Sequence, residues 1–136
     1  MKVVLDANVL ISAIIAEGPS NRIVSRWLDH QSIDVVVCPT LLAEVEDVLG
    51  RSRIQKRVRP ELAQLYMSTM DRIAEVVADP VSVTAETRDP KDDYLVALGR
   101  EHTVDYIVTG DKDLLEWPGR HPPVITPAAF DQLLRD

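Results

Sequence analysis

The sequence predicts an α/β fold in which helices cover both faces of a parallel sheet. Short runs of Val, Ile and Leu, as in strands buried on both sides, alternate with longer segments whose apolar residues recur at helical spacing. No internal repeat, low-complexity tract or linker interrupts the 136 residues. We therefore expect one domain covering residues 1–136.

The first half of the chain is predicted to contain two strands and three helices. Gly18-Pro19 ends the first helix, and Ser20 or Asn21 caps the second. The third helix starts at Pro39-Thr40 and closes at Gly50. The predicted strands are 2–5 and 34–38, and the predicted helices are 9–17, a segment from the Ser20/Asn21 cap through Leu28, and about 39–49.

The second half begins with a long predicted helix. Its apolar residues run along one face from Leu62 to Val77, and it ends before Asp79-Pro80. Residues 81–88 form a polar connection with room for an edge strand, and Asp89-Pro90 starts the next helix. The remaining predicted elements are strands at 105–108 and 123–125, a short helix within 111–117 and a terminal helix from Thr126-Pro127.

Composition limits the classes of function. The chain has 22 acidic and 15 basic residues and a net charge of -7, so nucleic-acid binding would need a local basic patch or a bound cation. The single cysteine, Cys38, lies in an apolar run and is predicted to be buried; one cysteine excludes an internal disulfide and fits a reducing compartment. The apolar run 9–16 is too short for a membrane span. We expect a cytoplasmic protein.

Acidic residues occupy equivalent places after several predicted strands. Asp6 follows the first strand, Glu44 lies one turn into the helix after the second, Asp92 and Asp93 open a later helix, and Asp111 follows another strand. Such positions meet at one edge of a parallel sheet. Each bare pair of charges about 4 Å apart costs roughly 4 kcal/mol at an effective dielectric near 20. Protons or divalent cations must offset that repulsion, and all-oxygen ligands favour Mg²⁺ or Mn²⁺, which can support phosphodiester hydrolysis.

Each acid also has a structural explanation. Asp6 and Asp111 are candidate helix caps, and Asp92 suits the first turn of a helix. Glu44 lies at the margin of an apolar helix face, where a carboxylate is more often functional than solvated. It is less economical for all four structural explanations to hold at once than for the four acids to share one site. The helical wheel favours Asp92 over Asp93, because Asp92 lies on the apolar side of its helix.

Four motifs in this order make the chain resemble the PIN-domain ribonucleases: "VVLDANVL", "PTLLAEVEDVL", "DPKDDYLVALG" and "YIVTGDKDLL". The resemblance covers nearly the whole chain. It implies a PIN-like, Rossmann-like three-layer α/β/α sandwich with a central parallel sheet of four to five strands. It also implies an endoribonuclease that depends on one or two Mg²⁺ or Mn²⁺ ions. Many small prokaryotic members are toxins of toxin–antitoxin pairs, and this chain resembles that VapC-like branch.

The resemblance implies roles for particular residues. By motif position, catalysis and metal binding fall to Asp6, Glu44, Asp92 and Asp111, with Asp93 as the alternative third ligand. The supporting polar positions are Asn8, Thr109 and Asp113. The implied reaction uses an activated water and no protein nucleophile. The implied partners are an RNA substrate, a protein antitoxin and a second copy of the chain in a homodimer, with no membrane.

A basic segment and two tryptophans are the remaining candidates for RNA contact. "RSRIQKRVR" (51–59) has five basic residues in nine and is a candidate phosphate-contacting arm; the alternatives are a solvated connection or a surface for an acidic partner. The candidate contacts are Arg51, Arg53, Lys56 and Arg57. Trp27 is predicted to lie in the core, whereas Trp117 is more open to stacking on bases.

The alternative from another class is a catalytically silent PIN-like module that binds RNA or protein. Loss of acids would signal that module, whereas the chain has the full set of four. A phosphatase of the haloacid-dehalogenase type is disfavoured because Asn8 stands where that mechanism needs a second acid. Metal-dependent turnover would separate the enzyme from the silent module.

Overall fold

A five-stranded, all-parallel sheet forms the centre of the computed structural model, which describes residues 1–30, 32–119 and 121–136. The strand order is β3-β2-β1-β4-β5. The strands are β1 (Lys2–Leu5), β2 (Asp34–Val37), β3 (Glu75–Val76), β4 (Tyr106–Val108) and β5 (Val124–Ile125). The predicted α/β class and the strand count of four to five are confirmed.

Helices flank the sheet, and several of them begin with proline, whose fixed φ and missing N–H suit the first turn. The helices are α1 (Ala7–Ile15), α2 (Pro19–His30), α3 (Pro39–Leu49), α4 (Ser52–Gln55), α5 (Pro60–Ile73), α6 (Pro90–Glu101), α7 (Lys112–Leu115) and α8 (Pro127–Arg135). Most predicted helices are confirmed within a few residues; α4 was not predicted. Within the described ranges, no helix has the length and apolarity needed to cross a membrane.

The core lies where the central strands meet the helices. Val3, Val36 and Val37 are completely buried, as expected for strands covered on both faces. Trp27 and the free thiol of Cys38 are also buried, which confirms both predictions. Burial of this apolar surface is the main favourable contribution to the stability of the fold.

Trp117, which the sequence left as a candidate for base stacking, is buried in the structure. Only 6% of the residue is exposed. The guanidinium of Arg100 lies 5.6 Å from the ring centroid, and the backbone of Gly119 approaches so closely that a Cβ there would clash with the indole. The ring therefore packs within the protein.

The long helix predicted to reach Val77 ends at Ile73 instead. Residues 75–76 form the edge strand β3 beside β2, and the backbone N–H of Val77 donates to the carbonyl of Val37 at 2.9 Å. The apolar residues keep helical spacing across this junction, but the open edge of β2 has backbone groups that need partners. The edge strand thus precedes residues 81–88, which contain no described strand.

The central position of β1 determines where the acids meet. Strands β2 and β4 pair with it on either side, and the N–H of Asp6 donates to the carbonyl of Val108 at 3.0 Å. The segments that follow β1 and β4 therefore start side by side. This edge of the sheet is where ligands bind in open parallel α/β folds.

Candidate metal centre

Three carboxylates converge at the carboxyl edge of the sheet. One oxygen from each of Asp89, Asp92 and Asp111 lies within 4.8 Å of the other two. Asp89 caps α6, accepting a hydrogen bond from the N–H of Lys91 at 3.0 Å, and Asp92 lies in the first turn of the same helix. Asp111 follows β4 and caps α7. We call these three residues the aspartate triad.

The surroundings of Asp92 disfavour the charged form of its carboxyl group. It is 6% exposed, and its Oδ2 has no hydrogen-bond partner among the described residues. Burial, followed by interactions with Asp111, raises the pKa of Asp92 to about 8; the charges of Asp6 and Asp89 act in the same direction. A buried, unpaired carboxylate oxygen among other carboxylates suits a cation. The all-oxygen donors suit Mg²⁺ or Mn²⁺.

Asp6 is linked to the triad through Thr109. The buried hydroxyl of Thr109 donates to Asp6 Oδ2 at 2.6 Å and accepts from the N–H of Asp111 at 3.0 Å. Burial raises the pKa of Asp6; the Thr109 hydrogen bond opposes this effect, and the charge of Glu44 adds to it. Asp6 stands at the cap position of α1 but makes no side-chain cap hydrogen bond. Helix capping therefore does not explain its side chain.

Glu44 approaches from α3 and is held by a tyrosine. It is exposed, and its Oε2 accepts a hydrogen bond from the hydroxyl of Tyr94 at 2.9 Å. Tyr94 lies on α6, two residues after Asp92. Burial, and then the charge of Glu44, raise the pKa of the Tyr94 hydroxyl far above its usual range, so the group remains a donor.

Asp93 is buried beside the triad but serves a different contact. Its Oδ1 accepts from the N–H groups of Glu86 and Thr87 at 3.1 and 2.8 Å and from the Thr87 hydroxyl at 2.8 Å. Burial alone would raise the pKa of Asp93, but these hydrogen bonds outweigh it and hold the pKa below its usual value. Asp93 thus ties the preceding loop to α6, whereas Asp92 faces the other acids.

The three supporting polar residues predicted from the sequence have different surroundings in the structure. Asn8 is exposed in the first turn of α1. The N–H of Asp113 donates to Asp111 Oδ1 at 3.0 Å, while its side chain lies 3.7 Å from the guanidinium of Arg88. Thr109 makes a direct hydrogen bond to Asp6, as described above.

The candidate RNA contacts are exposed residues that follow α3. Arg51, Arg53, Lys56 and Arg57 are exposed on and around α4. At about 1.5 Å of rise per residue, this segment begins roughly 10 Å beyond Glu44 along α3. Arg51 is paired with Asp47 at 3.1 Å. The basic segment therefore begins about two helical turns after Glu44.

Asp89 and Tyr94 were missed by the sequence analysis. Asp89 has a complete explanation as a helix cap, which hid its place in the triad. Its spacing from Asp92 was an available signal, because residues three apart lie on one side of a helix. The contact between Tyr94 and Glu44 joins residues 50 positions apart and has no local signal.

Comparison with known proteins assigns the fold family. A family model described as a PIN domain (PIN_3) matches residues 2–113, a range that contains all the acids described above. The chain belongs to the PIN-domain family. No curated protein sequence matches this PIN domain.

Several solved structures share the fold of this PIN domain. VapBC2 from Rickettsia felis, bound to a DNA fragment from their promoter, has 12% identity and a TM-score of 0.62 over 93% of this chain and 98% of that chain. PAE2754 from Pyrobaculum aerophilum has 15% identity and a TM-score of 0.67 over 99% and 90%, respectively. The PIN domain of human SMG5 has 6% identity and a TM-score of 0.56 over 98% and 99%. At these identities the likeness concerns the fold.

Proposed function

We propose that this PIN domain is a Mg²⁺- or Mn²⁺-dependent endoribonuclease that hydrolyses RNA phosphodiester bonds. The observation that carries the proposal is the unpaired Oδ2 of buried Asp92, beside Asp89 and Asp111. A buried carboxyl oxygen without a partner is costly, and a divalent cation bound to the ionised group would offset that cost. Membership of the PIN-domain family supports the same chemistry.

The acids have separate roles in this proposal. The aspartate triad holds one ion, and Asp6 and Glu44 complete the set around a second ion or orient the attacking water. When bound, such ions lower the pKa of a water and offset charge on the leaving oxygen. Thr109 fixes the position of Asp6. Asp93 is not needed as a ligand, because its Oδ1 already holds the adjacent loop.

Charge and fold likeness support further parts of the proposal, which concern RNA contacts and protein partners. Exposed Arg53, Lys56 and Arg57 supply RNA phosphate contacts, whereas Arg51 already has an acidic neighbour. We further propose a toxin role with a protein antitoxin as partner. This is supported by the VapC-like motifs of the sequence and by the fold shared with VapBC2 from Rickettsia felis. A homodimer and action on cytoplasmic RNA belong to the same proposal.

RNA cleavage with matched variants tests the proposal. Mixed RNA is incubated with Mg²⁺, with Mn²⁺ or with EDTA, using wild type, Asp6→Asn, Asp92→Asn and Asp105→Asn. Asp105 is the control because it lies at the opposite end of β4, where it accepts from the N–H of Lys2 at 2.9 Å. We expect metal-dependent cleavage that falls by at least about 100-fold in the first two variants and is unchanged in the control.

Two outcomes would contradict the proposed endoribonuclease activity of this centre. Equal cleavage by wild type and Asp92→Asn would locate the activity outside this centre. RNA binding by metal-loaded wild type, without cleavage of any RNA class, would favour the silent binding module.

A further inference from the structure

Tyr94 connects α6 to α3 at the acidic centre. Its hydroxyl donates to Glu44 Oε2 at 2.9 Å, across 50 positions of sequence. We infer that Tyr94 is a positioning residue that holds the Glu44 carboxylate in place for divalent-ion binding. This inference rests on the proposed function, because it assigns a further residue to the same centre.

Glu44 needs such a contact more than Asp6, Asp89 and Asp111 do. Asp6 accepts from Thr109, Asp89 from the N–H of Lys91, and Asp111 from the N–H of Asp113. Glu44 is exposed and has a longer side chain, so fixing it for a ligand costs more conformational entropy. Within the described ranges, the Tyr94 hydroxyl is the one side-chain donor to its carboxylate.

The position of Tyr94 suits it to this role. It is partly buried on α6, whose first turn contains Asp92, so the hydroxyl is attached to the same rigid element as the triad. It engages Oε2 of Glu44, which leaves Oε1 and further lone pairs for an ion. Groups that orient ligand carboxylates typically change metal affinity or activity by about 10–100-fold when removed.

A purely structural hydroxyl is the alternative, and Tyr66 provides the matched control. Tyr66 is also buried, and its hydroxyl donates to the carbonyl of Leu10 at 2.7 Å, joining α5 to α1 without touching an acid. Tyr66→Phe and Tyr94→Phe each remove a single oxygen and a hydrogen bond. Only the second should change metal binding.

Calorimetric titration of the full, metal-free chain with Mn²⁺ tests the inference. The proteins are wild type, Tyr94→Phe, Glu44→Ala, the Tyr94→Phe/Glu44→Ala double variant and Tyr66→Phe. We expect Tyr94→Phe to raise the Mn²⁺ dissociation constant by about 10-fold. In the Glu44→Ala background the same change should have no effect, because no carboxylate remains to be positioned. Tyr66→Phe should bind as wild type does.

The outcomes separate this inference from the proposed function. Binding by Tyr94→Phe within twofold of wild type overturns the inference. So does a full Tyr94→Phe effect that persists in the Glu44→Ala background, because Tyr94 would then not act through Glu44. If wild type itself binds no Mn²⁺ at millimolar concentration, the proposed function fails and the inference fails with it.

Discussion

At Asp92, the stability of the fold and the proposed binding of a metal ion make opposite demands on one side chain. Its carboxylate is buried beside other acids, and one oxygen has no partner in the described part of the chain. A structural role alone would favour an apolar residue or an amide here. The unfavourable burial of this carboxyl group should therefore make the free energy of unfolding depend on pH.

Without divalent ions, we expect the free energy of unfolding to fall as pH rises from about 4 to 8. Folded Asp92 keeps its proton up to a pKa of about 8, whereas the unfolded chain loses it near 3.8. Between these values the folded state binds more protons, so raising the pH destabilises it. Burial shifts Asp6 in the same direction, whereas the lowered pKa values of Asp93 and Asp131 affect stability only at more acid pH.

Urea unfolding in EDTA at pH 5, 6.5 and 8 measures this trend. Asp92→Asn should flatten it and exceed wild type in stability by roughly 1–3 kcal/mol at pH 8. If the free energies of unfolding of the two proteins depend on pH in the same way, folding does not raise the pKa of Asp92.

Mn²⁺ should stabilise the wild type most strongly at pH 8. At 100 times the dissociation constant, binding to the folded state alone adds about 2.7 kcal/mol to the free energy of unfolding. The gain should shrink in Asp92→Asn and persist in Asp105→Asn. Thermal melts with and without Mn²⁺ provide the measurement; equal gains in all three proteins would place the ion elsewhere.

At the scale of elements, the start of α6 organises the centre. Its cap belongs to the triad, its first turn supplies Asp92, Asp93 anchors the preceding loop and Tyr94 reaches α3. The capping residue Asp89 therefore has both a structural role and a place in the triad.

Two substitutions of Asp89 should separate these contributions. Asn remains a good cap, so Asp89→Asn should keep the metal-free stability within a few tenths of a kcal/mol, whereas Asp89→Ala should lose about 1 kcal/mol. Both should weaken Mn²⁺ binding, because both remove a carboxylate from the triad. Urea unfolding and Mn²⁺ titration measure the two effects. Unchanged Mn²⁺ affinity in Asp89→Asn would make Asp89 a cap only.

Sequence pattern predicted the elements whose signals are local. Pro39 and Gly50 bound α3 as expected, and β1, β2 and β4 were visible as apolar runs. The two-residue strand β3 was missed because it is too short to show alternation and continues the apolar spacing of α5. It forms because the edge of β2 accepts it, which is a tertiary effect.

The candidate site was predictable to a similar extent. Acids after strands could be placed at one edge from topology alone. The hydrogen bonds that separate Asp92 from Asp93, and the contact that brings Tyr94 to Glu44, depend on side-chain directions that only the folded chain fixes.

At the scale of the whole molecule, an acidic protein carries a concentrated basic segment. The net charge is -7, yet five basic residues occur within 51–59. Long-range attraction to RNA is therefore weak, and in the proposed function contact with RNA depends on this segment and on bound cations.

Replacing Arg53, Lys56 and Arg57 with Gln should reduce the salt dependence of RNA binding. Each lost phosphate contact lowers the log–log slope by about 0.7 for single-stranded RNA, so the triple variant should lose about 2. Binding is measured by fluorescence anisotropy over a salt series in the Asp92→Asn background, which prevents cleavage. The control is Arg72→Gln, because Arg72 is an exposed basic residue of α5 outside the basic segment. An unchanged slope would assign the basic segment to another partner or to solvent.

The hydrogen bond between Asp6 and Thr109 joins residues 103 positions apart and has a consequence for the timing of synthesis. A ribosome makes Asp6 103 positions before Thr109, with Asp111 following, and the chain folds as it emerges. Until then the nascent protein contains no complete set of acids. In the proposed ribonuclease, the nascent chain therefore cannot cut the messenger RNA that encodes it before Asp111 has been made.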